Sequence, residues 1–166
     1  LNGTVTYDKA IKETPIKNLF IIPTVAIDEK SNNSLKVYRQ NQAAREPFIF
    51  VELTEELSKL DFDYSIFDTS PNFDLFEENI MKATDEAVPV VKADGFSQDG
   101  LEIFRNNLKD FKKRQHSQNP ELKTIVLNEV NHSYKLANGI IEALKSTELN
   151  IVEIPQDQNF KMSQIL

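Results

Sequence analysis

Asp68 is the carboxylate best placed for chemistry in this chain. It closes the apolar part of the run Phe62-Asp63-Tyr64-Ser65-Ile66-Phe67-Asp68-Thr69-Ser70-Pro71. Tyr64, Ile66 and Phe67 are β-branched or aromatic and suit a buried strand. Pro71 cannot donate to a sheet ladder, so the strand ends before it and Asp68 falls at its carboxyl end. Ligands of open α/β sheets bind at that end. An acid there, followed by the hydroxyl of Thr69, is a natural partner for a metal–phosphate group. A strand-ending Asx turn uses the same residue types. Taken alone, Asp68 leaves both readings open.

Other groups with chemical potential are sparse. Lys109, Lys112, Lys113 and Arg114 form the one dense basic run. They suit a solvated helix end that complements the helix dipole, or a contact with phosphates. Asn128 follows an apolar run, and its amide can donate and accept together; a strand-end turn explains it equally well. His116 and His132 stand isolated in polar surroundings and read as surface residues. No Ser/His/Asp arrangement supports a hydrolase. Asp94-Gly95 and Asp99-Gly100 lack the alternating ligand spacing of a calcium loop, and read as turns and helix starts. Three Asn-X-Ser/Thr matches, at Asn2, Asn32 and Asn131, read as chance.

Composition narrows the class. The chain has 166 residues, enough for one domain with a sizeable core. Hydrophobic residues make up 40% and charged residues 27%, as in globular proteins. There are no cysteines, which excludes disulfides, thiolate metal sites and Cys nucleophiles. No apolar run approaches a membrane span, and the Asn159–Leu166 tail is too short and weakly amphipathic for a membrane helix. A cytoplasmic protein is expected. The net charge of -7 argues against binding nucleic acid through bulk charge, and leaves only local patches for that work. The first residue is Leu1, and initiator Met is removed only before small residues. The sequence is therefore expected to be part of a longer chain.

The elements that must position these groups alternate. Residues 7–14 read as a short helix ended by Pro15, and Asn18–Ile22 as a short buried strand closed by Pro23. Residues 26–41 read as a loop or surface helix. Pro47 opens a helix carrying Phe48, Val51, Leu53, Leu57 and Leu60. After the Asp68 strand, residues 72–82 read as a helix, and Glu86–Val91 as another buried strand. Ser97 can cap a helix carrying Leu101, Ile103, Phe104, Leu108 and Phe111. Leu122–Leu127 is a third strong strand. A helix with Leu136, Ile140, Ile141 and Leu144 follows, then a last strand at Asn150–Pro155. Strands alternating with helices predict one α/β domain over residues 1–166, with a mostly parallel sheet flanked by helices.

Five segments, in order, resemble ParA-type partition ATPases of the ParA/MinD group of deviant Walker NTPases. They are Asn18–Thr24; Phe62–Pro71, which resembles the Walker B segment; Val88-Pro89-Val90 followed by Phe96–Leu101, the most specific match because its two parts keep their spacing; Val126-Leu127-Asn128; and Ile154-Pro155. The resemblance implies a P-loop NTPase-like fold and a role for Asp68 in orienting the Mg²⁺ shell or the attacking water. It implies ATP contacts from Asn128, Pro155 and Gln156 beside the base. It further implies an ATP-dependent homodimer that binds DNA non-specifically, with Lys112, Lys113 and Arg114 as the candidate contacts, and a centromere-binding adaptor protein that triggers hydrolysis. The expected role is plasmid or chromosome partitioning, without a membrane partner.

The departures shape the expectation. The chain has four glycines, Gly3, Gly95, Gly100 and Gly139, and none begins a Gly-Lys-Thr/Ser run. The family's phosphate-cradling loop and the following Asp-Pro-Gln strand have no counterpart in these residues. Asn72 stands where Ser is usual, and Gln156 where Arg is common. The segment alone is therefore expected not to hydrolyse ATP, and the fold is expected to be incomplete, lacking the P-loop strand. Interior strands would then carry unmet backbone groups costing on the order of 1–3 kcal/mol each. That strand is expected elsewhere in a longer protein or from another chain. The alternative is a non-enzymatic ParA-like module that binds or regulates a complete ATPase.

Overall fold

The computed structural model describes residues 7–23, 33, 36, 37, 39, 41, 43–70 and 73–157. Pro71, Asn72, Thr24, residues 26–32, the Asn2 motif and the Asn159–Leu166 tail lie outside the described residues. The chain divides into two compact units, Leu1–Ala83 and Thr84–Leu166.

The second unit carries the parallel sheet. Its order in sequence is β3 (Val90–Lys92), α4 (Gly95–Gln115), β4 (Thr124–Val130), α5 (Lys135–Lys145) and β5 (Asn150–Pro155). These make two successive βαβ units with spatial order β3-β4-β5, parallel throughout. Val90, Val126 and Val152 lie in one row across the three strands. On the other face Ile125 and Leu127 have 0% exposure. They form a cluster with Leu101 of α4, Ile141 of α5 and Val130. Both helices reach that cluster through their apolar spacing. Leu101, Leu108 and Phe111 are buried on α4, and Ala137, Ile140 and Ile141 on α5, at helical intervals. The helix expected from Ser97 begins two residues earlier, at Gly95.

α4 ends in a closed motif. The amide of Ser117 donates to Lys112 O at 3.1 Å and that of His116 to Lys113 O at 3.4 Å. His116 has φ 50°, the left-handed residue that such a Schellman ending requires.

The first unit holds α1 (Tyr7–Ala10), β1 (Lys12–Glu13), β2 (Phe20–Ile21), α2 (Ile49–Leu57) and α3 (Leu75–Met81). The described residues between 33 and 45 are helical. Phe50, Leu53 and Leu57 of α2 meet Ile80 of α3, with Phe62, Phe67 and Phe76 against them. The Phe50 ring stands edge-on to Phe67 at 5.7 Å and to Phe76 at 5.2 Å.

Two expected strands take other forms here. The Asn18–Ile22 stretch contributes only Phe20 and Ile21, exposed and paired antiparallel with Glu13 and Lys12. Asn18 turns the chain with φ 63°, and Thr14 Oγ1 donates to Leu19 O at 2.8 Å, which favours a hairpin over a sheet interior. The Phe62–Phe67 stretch pairs with no strand among the described residues. Phe62 and Phe67 dock on the α2 core, while Tyr64 and Ile66 are 87% and 89% exposed. Residue types that favour a strand do not form one without a neighbouring backbone to pair with.

The Ile125–Leu127 cluster predicts a sharp asymmetry between the faces of the sheet. Leu127→Ala is expected to lower stability by about 2–5 kcal/mol. Val152→Ala, at a 41% exposed position, is expected to cost under about 1 kcal/mol. Urea unfolding followed by circular dichroism measures both, with the midpoint moving and the slope unchanged.

Candidate functional site

The side chains singled out above fall into three places. Asp68 lies in the first unit, exposed, at the far end of the Phe62–Phe67 run. The chain is held on both sides of it. Phe67 packs against Phe50. Ser70 Oγ donates to Glu77 Oε1 at 2.6 Å. The same oxygen accepts from Arg39 Nη2 at 2.5 Å, and the Glu77 side chain is 2% exposed. Among the described residues, no donor group reaches its other oxygen, Oε2. The neighbouring acid is Asp74, which caps α3 by accepting from Phe76 N at 2.9 Å. Burial foremost, and then the Asp74 carboxyl, push Glu77 above the ordinary carboxylate value. The hydrogen bond with Glu77 pulls Asp74 down. The two neighbouring carboxyl groups are thus pushed in opposite directions.

Asn128, Pro155 and Gln156 each lie toward the carboxyl end of the parallel sheet. Asn128 lies opposite Lys92 of β3. Pro155 lies opposite Val130, and the Gln156 amide donates to Val130 O at 2.9 Å. Asn131 Nδ2 donates to Gln156 Oε1 at 3.1 Å. Between Leu127 and Val130 the register slips, and Glu129 takes φ 55°. Its carboxylate meets Lys92 Nζ at 2.9 Å, bridging two strand ends and raising the lysine's pKa. Lys92 and Glu129 were not legible as partners in sequence. Glycine or asparagine usually marks a left-handed residue, and neither is present.

A polar cluster fastens the same edge. Glu153 accepts from Lys145 at 2.5 Å and meets His132 Nε2 at 3.1 Å. His132 Nδ1 lies 3.0 Å from Asn138 Oδ1.

The third place is an open groove of about 680 Å³ along α4. Lys112 and Lys113 line it, with Arg105, Lys109, His116 and Gln118; Arg114 is not among its lining residues. Arg105, Lys109, Lys112 and His116 follow intervals of four, three and four, one face of a helix. The basic run drew attention to consecutive residues, whereas helical spacing picks out this stripe.

The three-stranded parallel sheet flanked by helices is an α/β fold compatible with a P-loop NTPase-like fragment. Residues 1–124 match the family described as AAA domain. The chain belongs to that family and is a P-loop NTPase-like domain of ParA/MinD type. It is also similar to the uncharacterized protein BBD21 of Borreliella burgdorferi (strain B31), with 27% identity over 149 residues, 90% of this chain. The chain spans 58% of the length of that relative. Among the described residues, no helix is long and apolar enough to cross a membrane.

The Glu153 cluster sets a pH dependence. The hydrogen bond from Lys145 holds Glu153 below the ordinary value of 4.5. A depressed folded-state pKa contributes stability that is present above the unfolded value and lost as pH falls through the folded one. Glu153→Gln is therefore expected to lower stability at neutral pH and to flatten its decline below about pH 4.5. Urea midpoints between pH 7 and pH 3 measure the difference, and parallel curves for the two proteins would contradict it.

Proposed function

We propose that this chain is the Walker B and base-side portion of a ParA-like ATPase that partitions plasmid or chromosomal DNA. The observation that carries the reading is the match of residues 1–124 to the AAA domain family; Asn128, Pro155 and Gln156 lie beyond that span, near the carboxyl ends of β4 and β5. Asn128 has an amide able to read an adenine edge by donating and accepting. Pro155 and Gln156, which pair with Val130, would border the base. Asp68 offers an exposed carboxylate, and Mg²⁺ takes one or two such oxygens from a protein while phosphates and water complete its shell. The ion would supply charge stabilisation at the transferring phosphoryl group. Asp68 would orient its shell or the attacking water. ATP then closes a homodimer, the dimer binds DNA through phosphate contacts, and a centromere-binding adaptor triggers hydrolysis in the cytoplasm.

A second reading is favoured by one observation: no Gly-Lys-Thr/Ser run occurs in these 166 residues. Under it the protein is a non-enzymatic ParA-like module that partners a complete ATPase. The reading frame upstream of Leu1 separates the two, because only the enzyme requires a Gly-rich, Lys-containing loop after a strand.

In the complete protein, Asp68→Ala is expected to lower ATP turnover by about 100-fold or more, the scale for removing one group that stabilises developing charge. Intact turnover would remove Asp68 from the chemistry. DNA binding is tested separately. Replacing Lys109, Lys112 and Lys113 with Gln is expected to weaken binding at low salt. The slope of log affinity against log salt is expected to become shallower by about 0.9 for each duplex phosphate left unneutralised. Arg114→Gln, outside the groove, is expected to have the smaller effect. Filter binding over a salt series reads both, and an unchanged slope in the triple variant would sink the groove as a DNA-binding surface.

A further inference from the structure

Glu77 presents a physical puzzle. Leucine would fill a similar volume without removing a carboxyl group from water, which costs heavily unless the group is paired. The side chain is nevertheless 2% exposed, and one of its oxygens receives no hydrogen bond among the described residues. What the carboxyl group does that leucine could not is join three parts of the first unit. It belongs to α3, it accepts from Arg39 in the helical stretch before α2, and it accepts from Ser70, two residues beyond Asp68. The α3 side of this junction is held firmly. Asn79 Nδ2, also buried, donates to Ala43 O at 2.7 Å, and Arg39 lies 4.4 Å from the centre of the Phe76 ring. Asp68 is exposed, yet its flanks are fixed by two different means. Phe67 is packed into the α2 core, and Ser70 is tied to Glu77.

We propose that Glu77 is a positioning residue that fixes the Asp68–Ser70 segment, so that the Asp68 carboxylate is presented in one orientation to a metal-bound nucleotide. Its consequence for turnover rests on the ATPase reading above; its grip on the segment does not. A reactive group held by neighbours whose own conformations are locked is pre-organised, and small misplacements carry large rate penalties. Ser70 supplies the proton of the hydrogen bond and Glu77 Oε1 the acceptor, so the two side chains act as one unit. Arg39 and Asp74 are the charged groups facing Glu77, and both favour a fixed geometry. Arg39 bonds to Oε1, and Asp74 lies beside the same carboxyl group.

The test uses the complete protein with Glu77→Leu, Glu77→Gln, Ser70→Ala and the Leu/Ala pair. Glu77→Leu and Ser70→Ala are each expected to lower kcat about 10-fold or more while KM for ATP stays within about 3-fold. Glu77→Gln keeps the acceptor and is expected to remain within about 3-fold of wild type. The double variant is expected to be no worse than Glu77→Leu alone, because both remove the same hydrogen bond. Backbone order parameters at Thr69 and Ser70, measured by NMR relaxation, are expected to fall from about 0.85 to below about 0.6 in the Leu and Ala variants only. Changes confined to melting temperature, with kcat and order parameters unchanged, would overturn the proposal. Ser70→Ala decides the matter if Glu77→Leu does not fold. Intact turnover in Asp68→Ala would sink the ATPase reading alone. The order parameters then judge Glu77 by themselves, and unchanged values overturn its role.

Discussion

The burial of Ile125 and Leu127 in a strand with parallel neighbours on both sides constrains everything around the strand ends. A strict two-residue alternation would place Glu129 next in that buried row. The register slip between Leu127 and Val130 prevents this and turns Val130 inward instead. Magnitudes explain the choice. A non-glycine residue in the left-handed region costs roughly 1–2 kcal/mol, whereas an unpaired buried carboxylate costs far more. The left-handed Glu129 is the less costly solution. It also leaves Glu129 able to pair with Lys92, and keeps Asn128 beside that pair at the carboxyl end of the sheet. A core requirement thus shapes the carboxyl end of the sheet.

Where local spacing decides the outcome, the sequence was readable. β4, β5 and the helices between the strands follow from apolar runs and helical stripes such as Leu101, Leu108 and Phe111, whereas the buried strand expected at Glu86–Val91 is confined to Val90–Lys92 and is largely exposed. The fold class followed from their alternation. Asn128, Pro155 and Gln156 were singled out as lying near strand ends; Pro155 closes β5, Gln156 follows it, and Asn128 lies two residues inside the end of β4. The Phe62–Phe67 run shows the limit. Its residues favour a strand, but a strand also needs a backbone partner, which no local pattern supplies. Phe62 and Phe67 follow the α2 core instead. Glu77 was hidden for a similar reason. It sits among acidic residues on an ordinary helix, and Arg39, which gives it meaning, lies 38 residues away.

The two carboxyl-bearing regions solve different problems with similar groups. Glu153 lies near the surface, where the hydrogen bond from Lys145 lowers its pKa and His132 lies within 3.1 Å. Glu77 is enclosed, and burial together with Asp74 favours its protonated form. The first arrangement braces a sheet edge through charge and weakens as acid removes that charge. The second keeps a hydroxyl, that of Ser70, at a fixed place in an otherwise irregular segment. One cluster can lose its charge and remain a surface contact. The other cannot lose its acceptor without leaving Arg39 and Ser70 to find new partners.

The basic groove invites a simpler explanation, that its lysines merely complement the negative end of the α4 dipole. That account reaches Lys112, Lys113 and Arg114, which occupy the last turn. The dipole's influence falls off within a single turn and is worth roughly 0.3–1 kcal/mol per charge. Arg105 lies ten residues before Gln115, about 15 Å along the axis, and Lys109 about 9 Å before it. Neither falls within that range, yet both line the groove with Lys112 and Lys113. Arg114 is inside the range and does not line it. The two explanations therefore divide at particular residues. Dipole complementarity accounts for the basic ending of α4, and a second cause is needed for the stripe that continues from it. In a chain of net charge -7, such a stripe concentrates positive potential on one helix face.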